Sequence, residues 1–203
     1  VIHLAPKSEY WALLKRAMGI FVSASALVVL SPLLLVVSIA IKLDSPGPIL
    51  FQQRRIGRNG SIFRIYKFRT MNVVEDGPIV SQATRNDHRV TRVGRVLRAT
   101  SIDELPQLLN VLLGEMSLVG PRPHAIAHDN EFEQKFDLFA RRRRVKPGMT
   151  GWAQVNGFRG ETKTTEDIRR RMEHDLYYIE NWSIWFDFEI LVRTIFVIAR
   201  GAY

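Results

Sequence analysis

The sequence of 203 residues contains no cysteine. That absence excludes a disulfide scaffold, a zinc site built from thiolates and a cysteine nucleophile. Acidic residues are also scarce, because 20 Asp and Glu stand against 29 Lys and Arg and leave a formal net charge of +9. Low-complexity tracts are absent, and 46% of the residues are hydrophobic, which excludes a disordered or collagen-like polymer. We therefore expect a folded, basic protein.

One long stretch, Ala17 to Ile41, has no charged side chain over 25 residues. This length is enough to cross a hydrocarbon core about 30 Å thick. A cleaved signal peptide has a shorter apolar region that ends in a small-residue cleavage site, whereas this stretch continues into Lys42. Lys15 and Arg16 precede it, so positive charge flanks both ends and favours the cytoplasmic side for both.

Ser31-Pro32 lies at the middle of this stretch. Proline removes a backbone hydrogen bond and clashes with the carbonyl four residues earlier, so a break is expected, and Ser31 can satisfy a freed carbonyl. We predict a re-entrant membrane helix over residues 17–42, after a juxtamembrane segment 1–16 and before a cytoplasmic catalytic domain 43–203. A kinked helix that spans the bilayer is the alternative, and sequence physics leaves both open. The chain begins without Met, so we expect it to be part of a longer protein.

The rest of the chain predicts a helix-rich α/β (α+β) fold with a small β-hairpin. Two β-prone runs, Ile49 to Arg55 and Ser61 to Phe68, flank Gly57-Arg-Asn-Gly60, and Asn-Gly is typical of a type I′ turn. Helices are expected over 108–113, 132–144, 165–180 and 182–199, with a partly helical segment at 90–100 and loops at 75–78 and 120–123. The last predicted helix is rich in Trp, which suits a membrane interface. A helix in the core of the same domain is an equally well supported alternative.

The adjacent carboxylates Asp103 and Glu104 stand out in so basic a chain. A carboxylate can attack phosphorus to form an acyl phosphate, and a second carboxylate can hold Mg²⁺ against the phosphate oxygens. The structural alternative is a capping box, in which Ser101 is the N-cap and Glu104 follows three residues later. Adjacent residues do not share a helix face, so both carboxylates serve one site only near a helix end.

Several cations are candidates for phosphate binding. Lys67 and Arg69 share one face of the second predicted strand, and Arg122 lies in a loop stiffened by two prolines; a solvated basic surface is the alternative. The run Arg141 to Arg144 is typical of a solvated or lipid-facing surface. Nucleic acid is not an expected partner, because none of its usual binding motifs is present. The Walker A, G-x-G-x-x-G and H-E-x-x-H motifs are also absent.

Together these features resemble the bacterial sugar transferase family, the monotopic phosphoglycosyl transferases, and the resemblance covers nearly the whole chain. The motifs that carry it are Ser31-Pro32, Asp44-Ser-Pro-Gly-Pro48, Tyr66-Lys-Phe-Arg-Thr-Met71, Ser101-Ile-Asp-Glu-Leu-Pro-Gln107, Met116-Ser-Leu-Val-Gly-Pro-Arg-Pro123, Lys146-Pro-Gly-Met-Thr-Gly-Trp152 and Asp175-Leu-Tyr-Tyr-Ile-Glu-Asn-Trp182. Gly151 to Gly160 and Arg200 to Tyr203 look like the subgroup that uses glucose or galactose.

The resemblance implies a two-step transfer of hexose-1-phosphate from a UDP-sugar to undecaprenyl phosphate. Asp103 would attack the donor and release UMP, and Asp103 and Glu104 would hold Mg²⁺. The residues implied to bind substrate are Lys67, Arg69, Arg98 and Arg122 at phosphates, with a binding or structural role for Lys146, Arg159 and Asp175. The reaction would occur on the cytoplasmic face of a bacterial inner membrane, among membrane lipids, as the first membrane step of exopolysaccharide, capsule or O-antigen assembly.

Two other functions remain open from the sequence. A non-catalytic scaffold would use the same basic face to hold anionic lipid, and a UDP-sugar pyrophosphohydrolase would use the same acid pair with water as the nucleophile. The sequence does not distinguish glucose from galactose. It also leaves the oligomeric state open, a homodimer included.

Overall fold

A computed structural model describes residues 9–72, 84, 87–160 and 164–199 of the chain. These residues are mostly helical, and their strands form two sheets of two strands each. The predicted loop at 75–78, the first eight residues of the predicted segment 1–16 and the closing residues 200–203 lie outside the described residues. The expected helix-rich class with a small hairpin is confirmed.

The apolar stretch forms two helices, α1 (Glu9–Val29) and α2 (Ser31–Asp44), and Leu30 stands between them next to Ser31-Pro32. Pro32 lies in the first turn of α2, where its missing N–H costs no helical hydrogen bond. The Ser31 hydroxyl donates to the carbonyl of Val28 at 2.8 Å. The helix begins well before residue 17, so Lys15 and Arg16 belong to α1 rather than to a separate segment.

Strands β1 (Leu50–Ile56) and β2 (Ile62–Phe68) form the predicted antiparallel hairpin. Asn59 and Gly60 have φ angles of 55° and 79°, and the N–H of Ser61 donates to the carbonyl of Arg58. Positive φ at both central residues is the signature of a type I′ turn. The Asn-Gly pair therefore closes the hairpin as the sequence predicts.

The remaining elements follow in chain order. They are α3 (Arg92–Thr100), α4 (Gln107–Leu113), β3 (Ser117–Val119), α5 (Ile126–Lys135), β4 (Gly148–Thr150), α6 (Trp152–Val155), α7 (Thr165–Asn181) and α8 (Ile184–Ala199). Three 3₁₀ turns, Arg58–Gly60, Ile102–Glu104 and Phe139–Arg144, connect them. Strands β3 and β4 pair in parallel, and three residues are too few to show a strand pattern in the sequence.

The helix predicted over 132–144 is wrong in its extent. Helix α5 ends at Lys135, Phe136 is extended, and the chain resumes as a 3₁₀ turn. The turn folds back on α5, because Arg143 pairs with both Asp129 and Glu133 at 2.7 Å. In one continuous helix Arg143 would lie about 20 Å beyond Asp129.

The main core lies where the hairpin, α4, β3, α7 and α8 meet. Its buried side chains are Phe63, Ile65, Leu108, Val111, Met116, Leu118, Val119, Tyr178 and Ile190. A second cluster joins Val37 and Ile41 of α2 to Leu97 of α3. The apolar helices α1 and α2 therefore contribute to the folded domain as well as to an apolar surface.

Helix α1 is fixed to the domain by its two cations. The ammonium of Lys15 lies 2.9 Å from the carboxylate of Asp187, which is 0% exposed, and it also donates to the hydroxyl of Tyr178. Arg16 donates to the carbonyls of Val111 and Leu112 at the end of α4. The charges that precede the apolar stretch thus have partners inside the protein.

Candidate active site

Asp103 and Glu104 lie in the 3₁₀ turn between α3 and α4. The preceding residue, Ser101, ends α3: its φ is 60°, and its N–H donates to the carbonyl of Arg98. Because an N-cap residue needs an extended backbone, Ser101 and Glu104 do not form the capping box that was the structural alternative for this motif. The described residues show a capping box instead at the start of α7, between Thr164 and Asp167.

Glu104 is surrounded by three cations from three parts of the chain, which we call the Glu104 cluster. Its Oε1 accepts from Lys67 Nζ at 2.8 Å and from Arg122 Nη2 at 2.6 Å, and its Oε2 accepts from Arg159 Nη2 at 3.4 Å. Burial opposes ionisation of Glu104, but Arg122 and Lys67 outweigh it and hold the pKa of this carboxyl well below its ordinary value. Glu104 is therefore ionised and holds the cations in place.

Asp103 is placed differently from its neighbour. No hydrogen bond or ion pair reaches its carboxylate from the part of the chain that the structure describes. Burial and the adjacent charge of Glu104 raise the pKa of Asp103 from 3.8 to about 6, against the opposing charges of Lys67, Arg98 and Arg122. A carboxylate that is half-buried, ionised at neutral pH and not engaged by any described residue has its oxygens available as a nucleophile.

Arg122 is presented by a loop whose carbonyls are each bound. The carbonyl of Pro121 accepts from the N–H of Gly148, that of Arg122 from Arg142 Nη2 at 2.7 Å, and that of Pro123 from Arg55 Nη1 at 3.1 Å. Two prolines fix φ in the same loop. The guanidinium of Arg122 is therefore positioned from the backbone before any ligand binds.

Four of the predicted binding residues are brought together and three are not. Lys67, Arg98, Arg122 and Arg159 all lie near enough to Asp103 or Glu104 to affect the pKa of one of them.

The three that lie elsewhere have other neighbours. Arg69 is buried and donates to the carbonyls of Ser45 and Pro46, which places it in the turn after α2. A Cβ on Gly47 would collide with this guanidinium, which explains the glycine there. Lys146 lies beside Arg16.

Asp175 is 1% exposed and accepts from Arg142 Nε at 2.8 Å. Arg142 is 7% exposed, and the same guanidinium holds the carbonyl of Arg122. The expectation that all four arginines 141–144 face solvent or lipid is therefore wrong for Arg142. Sequence reasoning missed its role because it stands within a run of like residues, and only the buried partner Asp175 reveals it.

A metal at this site would depend on few protein ligands. Among the described residues, no group of three or more His, Cys, Asp or Glu is arranged to hold a metal ion. Mg²⁺ commonly binds through one or two carboxylates together with substrate phosphates. Asp103 and Glu104 fit that donor set, with the carboxylate of Asp103 available and both oxygens of Glu104 bound to cations.

A half-buried carboxylate beside several ordered cations is an arrangement suited to a phosphate-bearing substrate. The comparisons with known proteins agree with this class. The model of the family described as "Bacterial sugar transferase" matches residues 10–201. The chain belongs to the bacterial sugar transferase family.

Three relatives show the range within the family. The UDP-glucose:undecaprenyl-phosphate glucose-1-phosphate transferase of Escherichia coli (strain K12) is 51% identical over 98% of this chain and 43% of its own length. The protein of the same name from Caulobacter vibrioides is 55% identical over 89% of this chain and 68% of its own. The UDP-N-acetylgalactosamine-undecaprenyl-phosphate N-acetylgalactosaminephosphotransferase of Aeromonas hydrophila is 44% identical over 96% of this chain and 45% of its own. The chain thus spans less than half of two of these relatives.

Proposed function

We propose that this chain transfers a hexose-1-phosphate from a UDP-sugar to undecaprenyl phosphate and releases UMP. The observation that carries the proposal is Asp103, a half-buried carboxylate not engaged by the described residues, beside the cations of the Glu104 cluster. The names of the Escherichia coli and Caulobacter relatives support the same donor and acceptor. The product would feed exopolysaccharide, capsule or O-antigen assembly.

Two displacements at one phosphorus account for the reaction. An oxygen of Asp103 bonds to the β-phosphorus of the donor while the bridging P–O bond breaks, and UMP leaves with the bridging oxygen. A phosphate oxygen of undecaprenyl phosphate then bonds to the same phosphorus, the acyl-phosphate bond breaks, and the carboxylate of Asp103 is restored. Neither step requires a proton, so positioning and charge neutralisation carry the catalysis.

The residues of the site divide this work. Lys67, Arg122 and Arg159 are preorganised on Glu104, and the donor diphosphate brings negative charge that competes for them. A Mg²⁺ held at Asp103 and Glu104 would supply further neutralisation of the phosphate oxygens. Arg98, on the last turn of α3, faces the charge of Asp103.

A membrane position follows from the apolar surface. Among the described helices, α1 alone is long and apolar enough to cross a bilayer, and α2 continues it across the break at Ser31-Pro32. Exposed apolar side chains also mark α8, where Trp185 is 79% exposed. We propose that α1 and α2 form a re-entrant helix in a bacterial inner membrane and that α8 lies at the interface, with the site facing the cytoplasm.

The direct test measures UMP release by the membrane-reconstituted chain with Mg²⁺, with and without undecaprenyl phosphate. We expect lipid-dependent turnover and, without lipid, an enzyme mass increased by one phosphohexose that Asp103→Asn does not acquire. Because the relatives differ in sugar, the donor panel includes UDP-glucose, UDP-galactose and UDP-N-acetylgalactosamine.

Two outcomes would contradict the proposal. Lipid-independent release of free sugar-1-phosphate would indicate a pyrophosphohydrolase. No UMP release from any donor of the panel, together with wild-type binding of Asp103→Asn to anionic vesicles, would indicate a scaffold.

A further inference from the structure

The structure contains a second group of cations, separate in its residues from the Glu104 cluster. It is formed by Arg16 of α1, Arg58 at the hairpin tip and Lys146 before β4, and we call it the Lys146 cluster. Arg16 Nη2 and Lys146 Nζ lie 3.4 and 3.6 Å from the point where a Cβ on Gly114 would stand, so the two nitrogens are at most about 7 Å apart. Burial lowers the pKa of Lys146, and the charges of Arg16 and Arg58 lower it further.

No carboxylate among the described residues pairs with any member of this cluster. Arg16 donates to the carbonyls of Val111 and Leu112, so the negative end of α4 offsets part of its charge. The nearest acid in sequence to Gly114, Glu115, accepts from Asn110 instead. Three neighbouring cations without an acidic partner repel one another, and a bound anion would relieve that repulsion.

The cluster lies at the boundary between the charged and apolar parts of α1. Arg16 is the last charged residue before the uncharged stretch that begins at Ala17. One turn further on, Gly19 packs against Val111 of α4, and beside the cluster Leu113 is an apolar side chain that is 64% exposed. At that depth in a bilayer the anions are the phosphates of lipid headgroups.

We infer that the Lys146 cluster binds the phosphate of a membrane lipid, at a subsite separate from Asp103 and Glu104. Nitrogens less than about 7 Å apart can bridge one phosphate group through two of its oxygens. Two sources share this chemistry, an anionic phospholipid and the polyprenyl phosphate of the proposed function. Binding of an anionic phospholipid does not depend on the transfer reaction. Failure of this inference is therefore distinguishable from failure of the proposed function.

The experiment counts lipids bound to the full chain in a zwitterionic detergent by native mass spectrometry. Phosphatidylglycerol, phosphatidylcholine and a short-chain polyprenyl phosphate are titrated separately. The variants are Arg58→Gln and Lys146→Gln, with Arg58→Lys and Lys146→Arg to restore the charge. Arg64→Gln is the matched control, because Arg64 is an exposed arginine of the same hairpin that does not affect Lys146.

We expect one phosphate-bearing lipid to bind in preference to phosphatidylcholine. Each neutral variant should weaken that binding about fivefold, the charge-restoring variants should recover it, and Arg64→Gln should change it less than about twofold. Preference for polyprenyl phosphate would show that the subsite also recognises the polyprenyl chain, and equal binding of phosphatidylglycerol would assign it to headgroups in general. Equal losses in Arg58→Gln and Arg64→Gln, or no preference over phosphatidylcholine, would overturn the inference.

Discussion

The raised pKa of Asp103 should make the proposed first half-reaction sensitive to pH in a range where an ordinary aspartate is not. Burial and Glu104 raise this pKa from 3.8 to about 6. Because only the ionised carboxylate attacks phosphorus, the rate should follow the ionised fraction and fall as the pH drops through 6. At pH 5 an aspartate with a pKa of 6 is about one-eleventh ionised, whereas one with a pKa of 3.8 is about 94% ionised.

The assay is a rapid-quench measurement of the UMP burst from UDP-sugar between pH 5 and 7.5, in the absence of lipid acceptor. We expect the burst rate at pH 5 to be about tenfold below its plateau, with a slope of one. Glu104 contributes no step in this range, because its pKa is held well below its ordinary value.

Arg98 offers a matched pair of variants for this prediction. Its charge lowers the pKa of Asp103, and no described hydrogen bond joins it to Glu104. Arg98→Gln should therefore move the pH profile upward, and Arg98→Lys should leave it near that of wild type. A burst rate that stays constant from pH 5 to 7, or a profile that moves downward in Arg98→Gln, would refute the assignment of Asp103 as the titrating nucleophile.

Three further predictions concern stability and positioning. Asp103→Asn should raise the melting temperature at pH 8, because the raised pKa lowers the free energy of unfolding progressively between about pH 4 and pH 6 and by its full amount above pH 6. Solvent access reduces an upper bound of about 3 kcal/mol to about 1–2 kcal/mol. A gain at pH 3.5 as large as the gain at pH 8 would contradict this explanation. Arg142→Lys should lower kcat by about tenfold or more with little change in KM, because a lysine cannot hold both Asp175 and the carbonyl of Arg122. If thermal unfolding shows that the variant is folded and its kcat is unchanged, this contact does not position Arg122. Lys15→Met should lower the free energy of unfolding, measured in urea, by about 3–5 kcal/mol, because it leaves buried Asp187 without its cation. Adding Asp187→Leu should recover much of this loss, whereas additive losses would show that the pair is not coupled.

Local signals predicted much of the architecture. Asn59-Gly60 encoded the hairpin turn through its tolerance of positive φ, and Pro32 encoded the break between α1 and α2. The adjacency of Asp103 and Glu104 also pointed to the candidate site. Each of these features depends on residues close together in the sequence.

Features that depend on distant partners were not predictable in this way. The pattern of Ser101 and Glu104 suited a capping box, but Glu104 is held by Lys67, 37 positions earlier in the chain, and Ser101 ends the preceding helix. Similarly, Arg142 is indistinguishable from its neighbours in sequence until Asp175 is seen beside it. Charge patterns identify which residues are candidates, and only the fold decides which of them meet.

The attachment of α1 to the domain bears on how a soluble form of this protein can be made. Deleting the apolar helices α1 and α2 would remove more than an apolar surface, because Lys15 and Arg16 leave with them. Among the described residues, Asp187 would keep Tyr178 and Trp182 as partners, and the carbonyls of Val111 and Leu112 would lose the guanidinium of Arg16. Solubility is therefore better sought by replacing exposed apolar side chains such as Phe21 and Val28, 74% exposed each, than by truncation.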